Sequence, residues 1–458
     1  MRVCVIGAGV SGLPAIKSCL EEGLDVVCYE RSAEIGGLWN YRPPDVNDLG
    51  GSVMKSTVVN TSKEMMAFSD FPPPAEYPNF MHHSLVQKYL LMYCKQFDLR
   101  THIQFNVHVK SASIDEKTGK WVVKLGDGTM ENFDFLMLCT GHHSIPKYPQ
   151  LRGIDKFKGK IMHAKEYRSY NGFEDKDVFI IGIGNSALDI AVELAKIAKS
   201  VTVSTKRGSW IFNRVGAGGM PYDIVFMSRF YQWLMRTLPC PVLRFQGLLL
   251  SFRLKATRHR LQQRMDHDLY GLRPAHRFFQ QHPTVNDSLA NLLASGMITI
   301  TEDVDSFDEN AVIVKGGRKF AADVLILATG YTFAFPYLTP QSLLPIENHE
   351  IDLYKFVFSS SLRNKLAVIG LIQPIGSVAP ISEMQSRWAA GVFSGRCSLP
   401  SQQSMVHDIQ DKRKKMTRRY FRSEKHTLQV DFVPYMDELA ELIGCKPSLT
   451  KILFNDPD

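Results

Sequence analysis

Residues 3–12 read VCVIGAGVSG, and residues 178–187 read VFIIGIGNSA. Each is a short run of β-favouring apolar residues, a glycine turn and the start of a segment with helical spacing. In the first, Gly7, Ala8, Gly9, Val10, Ser11 and Gly12 form G-x-G-x-x-G directly after Val3–Ile6. The first glycine suits a tight turn, the second lets the backbone approach a pyrophosphate, and the third allows close packing of the following helix, whose N-terminus faces the phosphates. The run DVVCYE then ends in Glu30, 18 residues beyond Gly12. A carboxylate there can accept from both ribose hydroxyls of an adenosine and repels a 2′-phosphate.

In the second stretch the turn is Gly182, Ile183, Gly184, Asn185, Ser186 and Ala187, continued by Leu188 and Asp189. Ala187 stands where the first turn has Gly12; that position asks for close packing, not for an unusual backbone angle, so alanine is tolerated. The next strand-like run, SVTVST, leads into Lys206 and Arg207 instead of an acid. Cations there attract the 2′-phosphate that distinguishes NADPH from NADH. The first unit carries a further signal. After Glu30, RSAEIGGLW holds a glycine pair followed by Leu38 and Trp39. It resembles the extended fingerprint of flavoproteins with two dinucleotide sites, in which Gly37, Leu38 and Trp39 lie against the flavin nucleotide. The first unit is expected to bind FAD and the second NADPH, with hydride passing between them.

The chain around these units has 458 residues, enough for two or three domains. It is 45% hydrophobic and 22% charged, an ordinary soluble composition. The formal charge of +8 comes without a dense basic and aromatic array, so no nucleic-acid partner is expected. The eight cysteines include no C-x-x-C pair, and Cys4, Cys28 and Cys139 fall in apolar runs. This favours a reducing compartment over disulfides or zinc. His82 and His83 are adjacent but have no Cys or carboxylate at ligand spacing, so no metal is expected. No apolar stretch reaches the roughly 18 residues of a spanning helix, and the nucleotide unit begins too early to leave room for a signal peptide.

The expected fold is α/β, with two Rossmann-like dinucleotide-binding domains, the NADPH domain inserted in a discontinuous FAD domain. The boundaries are 1–150 for the first part of the FAD domain, 151–324 for the NADPH domain, and 325–458 for the second part. Within the NADPH domain, residues 222–275 mix Trp, Phe and Leu with Arg and Lys around Pro239 and Pro241. Such a stretch can cover a substrate channel or rest on a membrane surface.

Residues 157–167, FKGKIMHAKEY, match F-x-G-x-x-x-H-x-x-x-Y through Phe157, Gly159, His163 and Tyr167. With LILATGY at 325–331, NTSKEMMAFSDFP, YPNF and GYTFAFPYL, the chain resembles the eukaryotic flavin-containing monooxygenase family from Val3 to about Pro447. Tyr167 stands where Baeyer–Villiger monooxygenases usually carry Trp, which points to the branch that oxidises nitrogen and sulfur. The resemblance implies an FAD- and NADPH-dependent monooxygenase that forms a flavin 4a-hydroperoxide and oxygenates amines and thioethers to N-oxides and S-oxides. Its partners would be a small nucleophilic nitrogen- or sulfur-containing substrate and molecular oxygen. A Baeyer–Villiger enzyme and an uncoupled NADPH oxidase releasing hydrogen peroxide remain alternatives. By the same resemblance Asn60 is the active-site asparagine, where flavin and nicotinamide meet, flanked by Val59 and Thr61, and Ser186 to Asp189 belong to the second nucleotide site. His163 reads as an organiser of the loop between the domains. Vertebrate relatives end in a hydrophobic anchor, whereas this chain stops at KPSLTKILFNDPD. It is expected in the cytoplasm or peripherally on the endoplasmic reticulum membrane, with membrane contact and homo-oligomerisation left open.

Overall fold

The computed structural model describes residues 1–43, 50–227, 229, 264–278, 280–347, 349–420 and 427–448. The expected segment 222–275 therefore lies largely outside the described residues. Two parallel-rich sheets organise the rest. The first begins with β1 (Arg2–Ile6), α1 (Gly12–Glu21) and β2 (Asp25–Glu30), followed by α2 (His83–Gln96), β3 (Ile103–Phe105) and β4 (Phe135–Leu138). The second comprises β5 (Lys160–His163), β6 (Asp177–Ile181), α3 (Asn185–Leu194), β7 (Ser200–Ser204), β8 (Thr299–Thr301) and β9 (Val324–Leu327). The chain then returns to the first sheet through β10 (Leu353–Tyr354), β11 (Phe358–Ser359) and β12 (Leu366–Val368), before α4 (Val378–Ser394).

The strand orders are β10-β11-β12-β4-β1-β2-β3 and β8-β7-β6-β9-β5. In both sheets the strand leading into a glycine turn is central, with parallel neighbours on each side: β1 pairs with β2 and β4, and β6 with β7 and β9. A parallel strand covered on both faces must be apolar on both faces. This is why VCVI and VFII are unbroken apolar runs. Along β6 the side chains alternate between two cores: Val178 and Ile180 pack with α3, and Phe179 and Ile181 with Phe157 and Phe307 on the other face.

The duplication extends beyond the glycine turns. Each unit places a three-stranded antiparallel sheet before a central parallel strand, Val109–Ile114 with Trp121–Leu125 and Met130–Phe133 before β4 in the first, and Val304–Asp308 with Ala311–Val314 and Lys319–Ala321 before β9 in the second. That strand then runs into LCTG (138–141) in one unit and LATG (327–330) in the other. The boundary expected between 324 and 325 consequently falls inside β9, which pairs with β6 on one side and β5 on the other. The chain leaves the second sheet only after Leu327, where Tyr331–Thr332 pairs antiparallel with Ile145–Pro146, the segment on which it arrived. Both crossings between the units thus run side by side.

Candidate functional site

The two glycine turns are built with the same hydrogen bonds. Gly7 N donates to the Tyr29 carbonyl at 2.9 Å, and Gly182 N to the Ser204 carbonyl at 3.0 Å. Leu13 N donates to Gly9 and Leu188 N to Gly184, each at 3.1 Å. Gly7 and Gly182 have φ of +100° and +123°, and a Cβ would lie 2.8 Å from the Cys139 carbonyl in the first and 2.4 Å from the Ala328 carbonyl in the second. Glycine is required there on both counts. The third positions differ. A Cβ on Gly12 would stand 1.8 Å from the Gly7 carbonyl oxygen, whereas Ala187 accommodates its methyl and is fully buried. The reason is where the helices start: α3 begins at Asn185, directly after Gly184, but α1 begins only at Gly12 itself.

The middle glycines face a cradle. A Cβ on Gly184 would meet nothing within 4 Å, and one on Gly9 only the Gly37 backbone at 3.6 Å. Gly37–Trp39 forms a single 3₁₀ turn beside Gly9, with Leu38 and Trp39 half-buried. Glu30 is buried at the tip of β2, where Oε2 accepts from Ala8 N (2.7 Å) and Oε1 from Ser32 N (2.9 Å) and Ser32 Oγ (2.7 Å). A carboxylate has about four lone-pair positions, so capacity for a ribose hydroxyl remains. The Ala8 amide, within the turn expected to bind the dinucleotide, is thus committed to Glu30. Val10 is half-buried, and Ser11 Oγ pairs with Ser382 Oγ of α4 at 2.9 Å.

In the second unit Ser186 is exposed at the start of α3, while Ala187 and Leu188 are fully buried, so only their backbone could face a ligand. Asn185 Oδ1 accepts from Val285 N at 2.8 Å, and Asp189 Oδ1 from Asn286 Nδ2 at 3.3 Å. Burial raises the Asp189 carboxyl to about 6, against the opposing pull of Arg214. Lys206 and Arg207 are exposed just beyond β7.

Asn60 lies in the loop before a short helix at Lys63–Met66, and its Oδ1 is buried with no hydrogen-bond partner. An amide oxygen left bare inside a protein costs free energy unless something external satisfies it. Val59 is buried and Thr61 half-buried beside it. Together the bare Asn60 oxygen, the open space above Gly9 and Gly184, and the spare capacity of Glu30 fit two dinucleotides. Among the described residues no cluster of His, Cys, Asp and Glu could hold a metal ion. His82 and His83 instead both contact the Lys55 carbonyl, at 2.8 and 3.2 Å.

The fingerprint at 157–167 is architectural. A Cβ on Gly159 would lie 2.5 Å from the Asp323 carbonyl. His163 is fully buried, with Nε2 3.0 Å from the Gly330 carbonyl and Nδ1 accepting from Lys165 N at 3.0 Å. It therefore ties the end of β5 to the returning crossing. Burial holds its imidazole below the ordinary value of 6.5, and the buried His267 shifts the same way. Since the unfolded chain binds these protons more readily, their contribution is complete above about pH 6.5 and is lost as the pH falls through the window beneath it. The unfolding temperature should decline between pH 7 and pH 5, less steeply in His163→Gln; a flat profile for the unsubstituted protein would contradict this.

Sequence reasoning missed Arg214, Asp223 and Asp287, which hold the loop around Asn60 from the second unit. Nothing in their local sequence announces this, because Arg214 and Asp223 reach backbone atoms more than 150 residues away, and Asp287 acts by anchoring Arg214. The LCTG and LATG repeat, by contrast, was available as a marker of equivalent strand ends.

A family model described as flavin-binding monooxygenase-like matches residues 1–458. The chain is 45% identical over 466 residues to flavin-containing monooxygenase 5 of Cavia porcellus, covering 100% of this chain and 85% of that protein. It is 41% identical to dimethylaniline monooxygenase [N-oxide-forming] 2 of Macaca mulatta, with the same coverage. Among solved structures, S-allyl-L-cysteine S-oxygenase from Allium sativum superposes with a TM-score of 0.72 at 24% identity, over 99% of this chain and 90% of that one. The two parallel-rich sheets, their paired glycine turns and these whole-length matches lead to one conclusion: the chain belongs to the flavin-binding monooxygenase-like family and is an FAD- and NADPH-dependent monooxygenase.

Proposed function

We propose that this enzyme oxygenates soft nucleophiles, namely amines and thioethers, to N-oxides and S-oxides. The observation that carries the reading is the bare, buried Asn60 Oδ1 in a loop held by both units. The N-oxide-forming relative at 41% identity supports the same chemistry. FAD, when bound, supplies the two-electron chemistry that links NADPH to dioxygen and delivers one oxygen atom to the substrate.

The protein's part is binding, orientation and exclusion of water. The Gly7–Gly12 turn, Glu30 and the Gly37–Trp39 turn hold FAD in the discontinuous first domain. The Gly182–Ala187 turn, with Lys206 and Arg207, holds NADPH in the inserted one. Asn60, with Val59 and Thr61, sits where the reacting ends meet. A side-chain amide offers two donors and one acceptor there without carrying a titratable proton. That environment favours transfer to a nucleophile that needs no deprotonation.

The deciding measurement is NADPH consumption with a thioether, a tertiary amine or a ketone, with hydrogen peroxide followed in parallel. Sulfoxide and N-oxide should account for most of the NADPH used. Ester from the ketone as the main product would favour the Baeyer–Villiger reading, and peroxide as the main product an uncoupled oxidase. The phosphate reading has its own test. Arg207→Ala should raise the NADPH Michaelis constant about tenfold or more through loss of a charge-assisted contact. NADH should be nearly unaffected, and equal losses for both would remove Arg207 from this role.

A further inference from the structure

The loop carrying Asn60 is gripped on both sides by charged groups of the second unit. The two carbonyls that precede Asn60 face Arg214: Nη2 lies 3.4 Å from the Val58 oxygen and Nε 3.1 Å from the Val59 oxygen. Beyond Asn60, the amide of fully buried Ser62 donates to Asp223 Oδ2 at 2.6 Å. The first unit contributes backbone pairings here, from Val59 N to the Met81 carbonyl at 3.0 Å and from Lys63 N to the Asn79 carbonyl at 2.7 Å. The main chain around Asn60 is thus fixed while its own amide oxygen stays bare. Such an arrangement aims a side chain at an external group instead of spending it on the fold.

Arg214 is itself anchored. Its backbone amide and its Nη1 reach the two oxygens of Asp287, at 3.0 and 2.8 Å. The two residues before Asp287 touch the helix of the second glycine turn: Asn286 Nδ2 donates to Asp189, and Val285 N to Asn185. A continuous set of hydrogen bonds therefore runs from the first two turns of α3, through 285–287 and Arg214, to the carbonyls that precede Asn60. Charge-assisted bonds are directional, so along such a chain ordering at one end is felt at the other.

We propose that Arg214, anchored on Asp287, is a positioning residue that couples occupancy of the second dinucleotide site to the pose of Asn60, with Asp223 holding the far side of the loop. The proposal rests on Asn60 facing the reacting groups, as argued above. NADP⁺ settling on the second glycine turn orders Asn185 and Asp189, and through Arg214 it stills the loop just when the oxygenating half of the cycle needs it. An interdomain staple without this role would hold the loop equally well with or without the dinucleotide.

Hydrogen–deuterium exchange on FAD-loaded protein separates the two. In the unsubstituted protein, saturating NADP⁺ should slow exchange of the amides in 56–66. In Arg214→Gln, at NADP⁺ concentrations shown by titration to saturate, that protection should vanish, and Arg214→Lys should restore part of it. The ratio of oxygenated product to hydrogen peroxide should fall about tenfold in Arg214→Gln, the cost of one charge-assisted hydrogen bond. Protection in Arg214→Gln equal to the unsubstituted protein, or none in the unsubstituted protein, overturns the coupling. If Arg214→Gln does not fold, Asp287→Asn, which weakens the anchor but keeps its shape, carries the same measurement with the same two outcomes. Failure of the unsubstituted enzyme to oxygenate any amine or thioether would count against the proposed reaction and leave the exchange result standing.

Discussion

Replacing Asn60 with alanine should lower the yield of N-oxide or S-oxide about a hundredfold, the usual cost of removing one preorganised polar group from a reacting centre. Flavin reduction by NADPH should slow far less, because it needs the two dinucleotides side by side, and the turns that hold them do not involve this side chain. The electrons would then leave as hydrogen peroxide, so peroxide release should rise as product falls. Asn60→Asp makes a sharper case. The Oδ1 position is buried and has no partner, and an unpaired carboxylate there resists ionisation. Product yield in Asn60→Asp should therefore decline further as the pH rises and the group acquires its charge. Product and peroxide measured against NADPH consumed, with single-turnover flavin reduction followed separately, check both statements. A variant with intact product yield would reduce Asn60 to a loop residue.

Gly12→Ala should abolish flavin loading. The new methyl would stand 1.8 Å from the Gly7 carbonyl oxygen, a backbone atom that cannot rotate away. Relief requires either α1 or the turn to move, and β1, β2 and β4 hold the turn through the Gly7 amide and the close approach of Cys139. Forced overpacking of this kind costs about 3 kcal/mol, and the turn is the part that would face the pyrophosphate. The purified variant should be colourless, with a lowered unfolding temperature. The reverse change in the other unit, Ala187→Gly, should cost only about 1 kcal/mol of helix stability and leave flavin content unchanged. Flavin absorbance per chain and thermal unfolding of the pair decide it; a yellow, stable Gly12→Ala protein would show that the turn is more plastic than its geometry implies.

These two expectations draw on different kinds of information. The glycine turns were legible in the sequence because each is a local device: strand, turn and helix start lie within about ten residues, and steric demands select glycine there. Glu30 was legible for the same reason, at the end of the adjacent strand. The parallel sheets followed from the unbroken apolar runs. The family fingerprint could be read as a pattern and His163 as an organiser of the interdomain loop, but its partner could not: His163 bonds the Gly330 carbonyl, 167 residues further on.

What the sequence alone determined, then, is the presence of two dinucleotide units and the order in which they come. Tertiary structure decided how they are joined. It placed β9 in the second sheet, made glycine obligatory at 12 but not at 187, committed the Ala8 amide to Glu30, and brought Arg214, Asp223 and Asp287 around Asn60. Each of these depends on backbone carbonyls and amides from distant segments. Every residue carries such groups whatever its side chain, so the sequence holds no mark of which ones will be met.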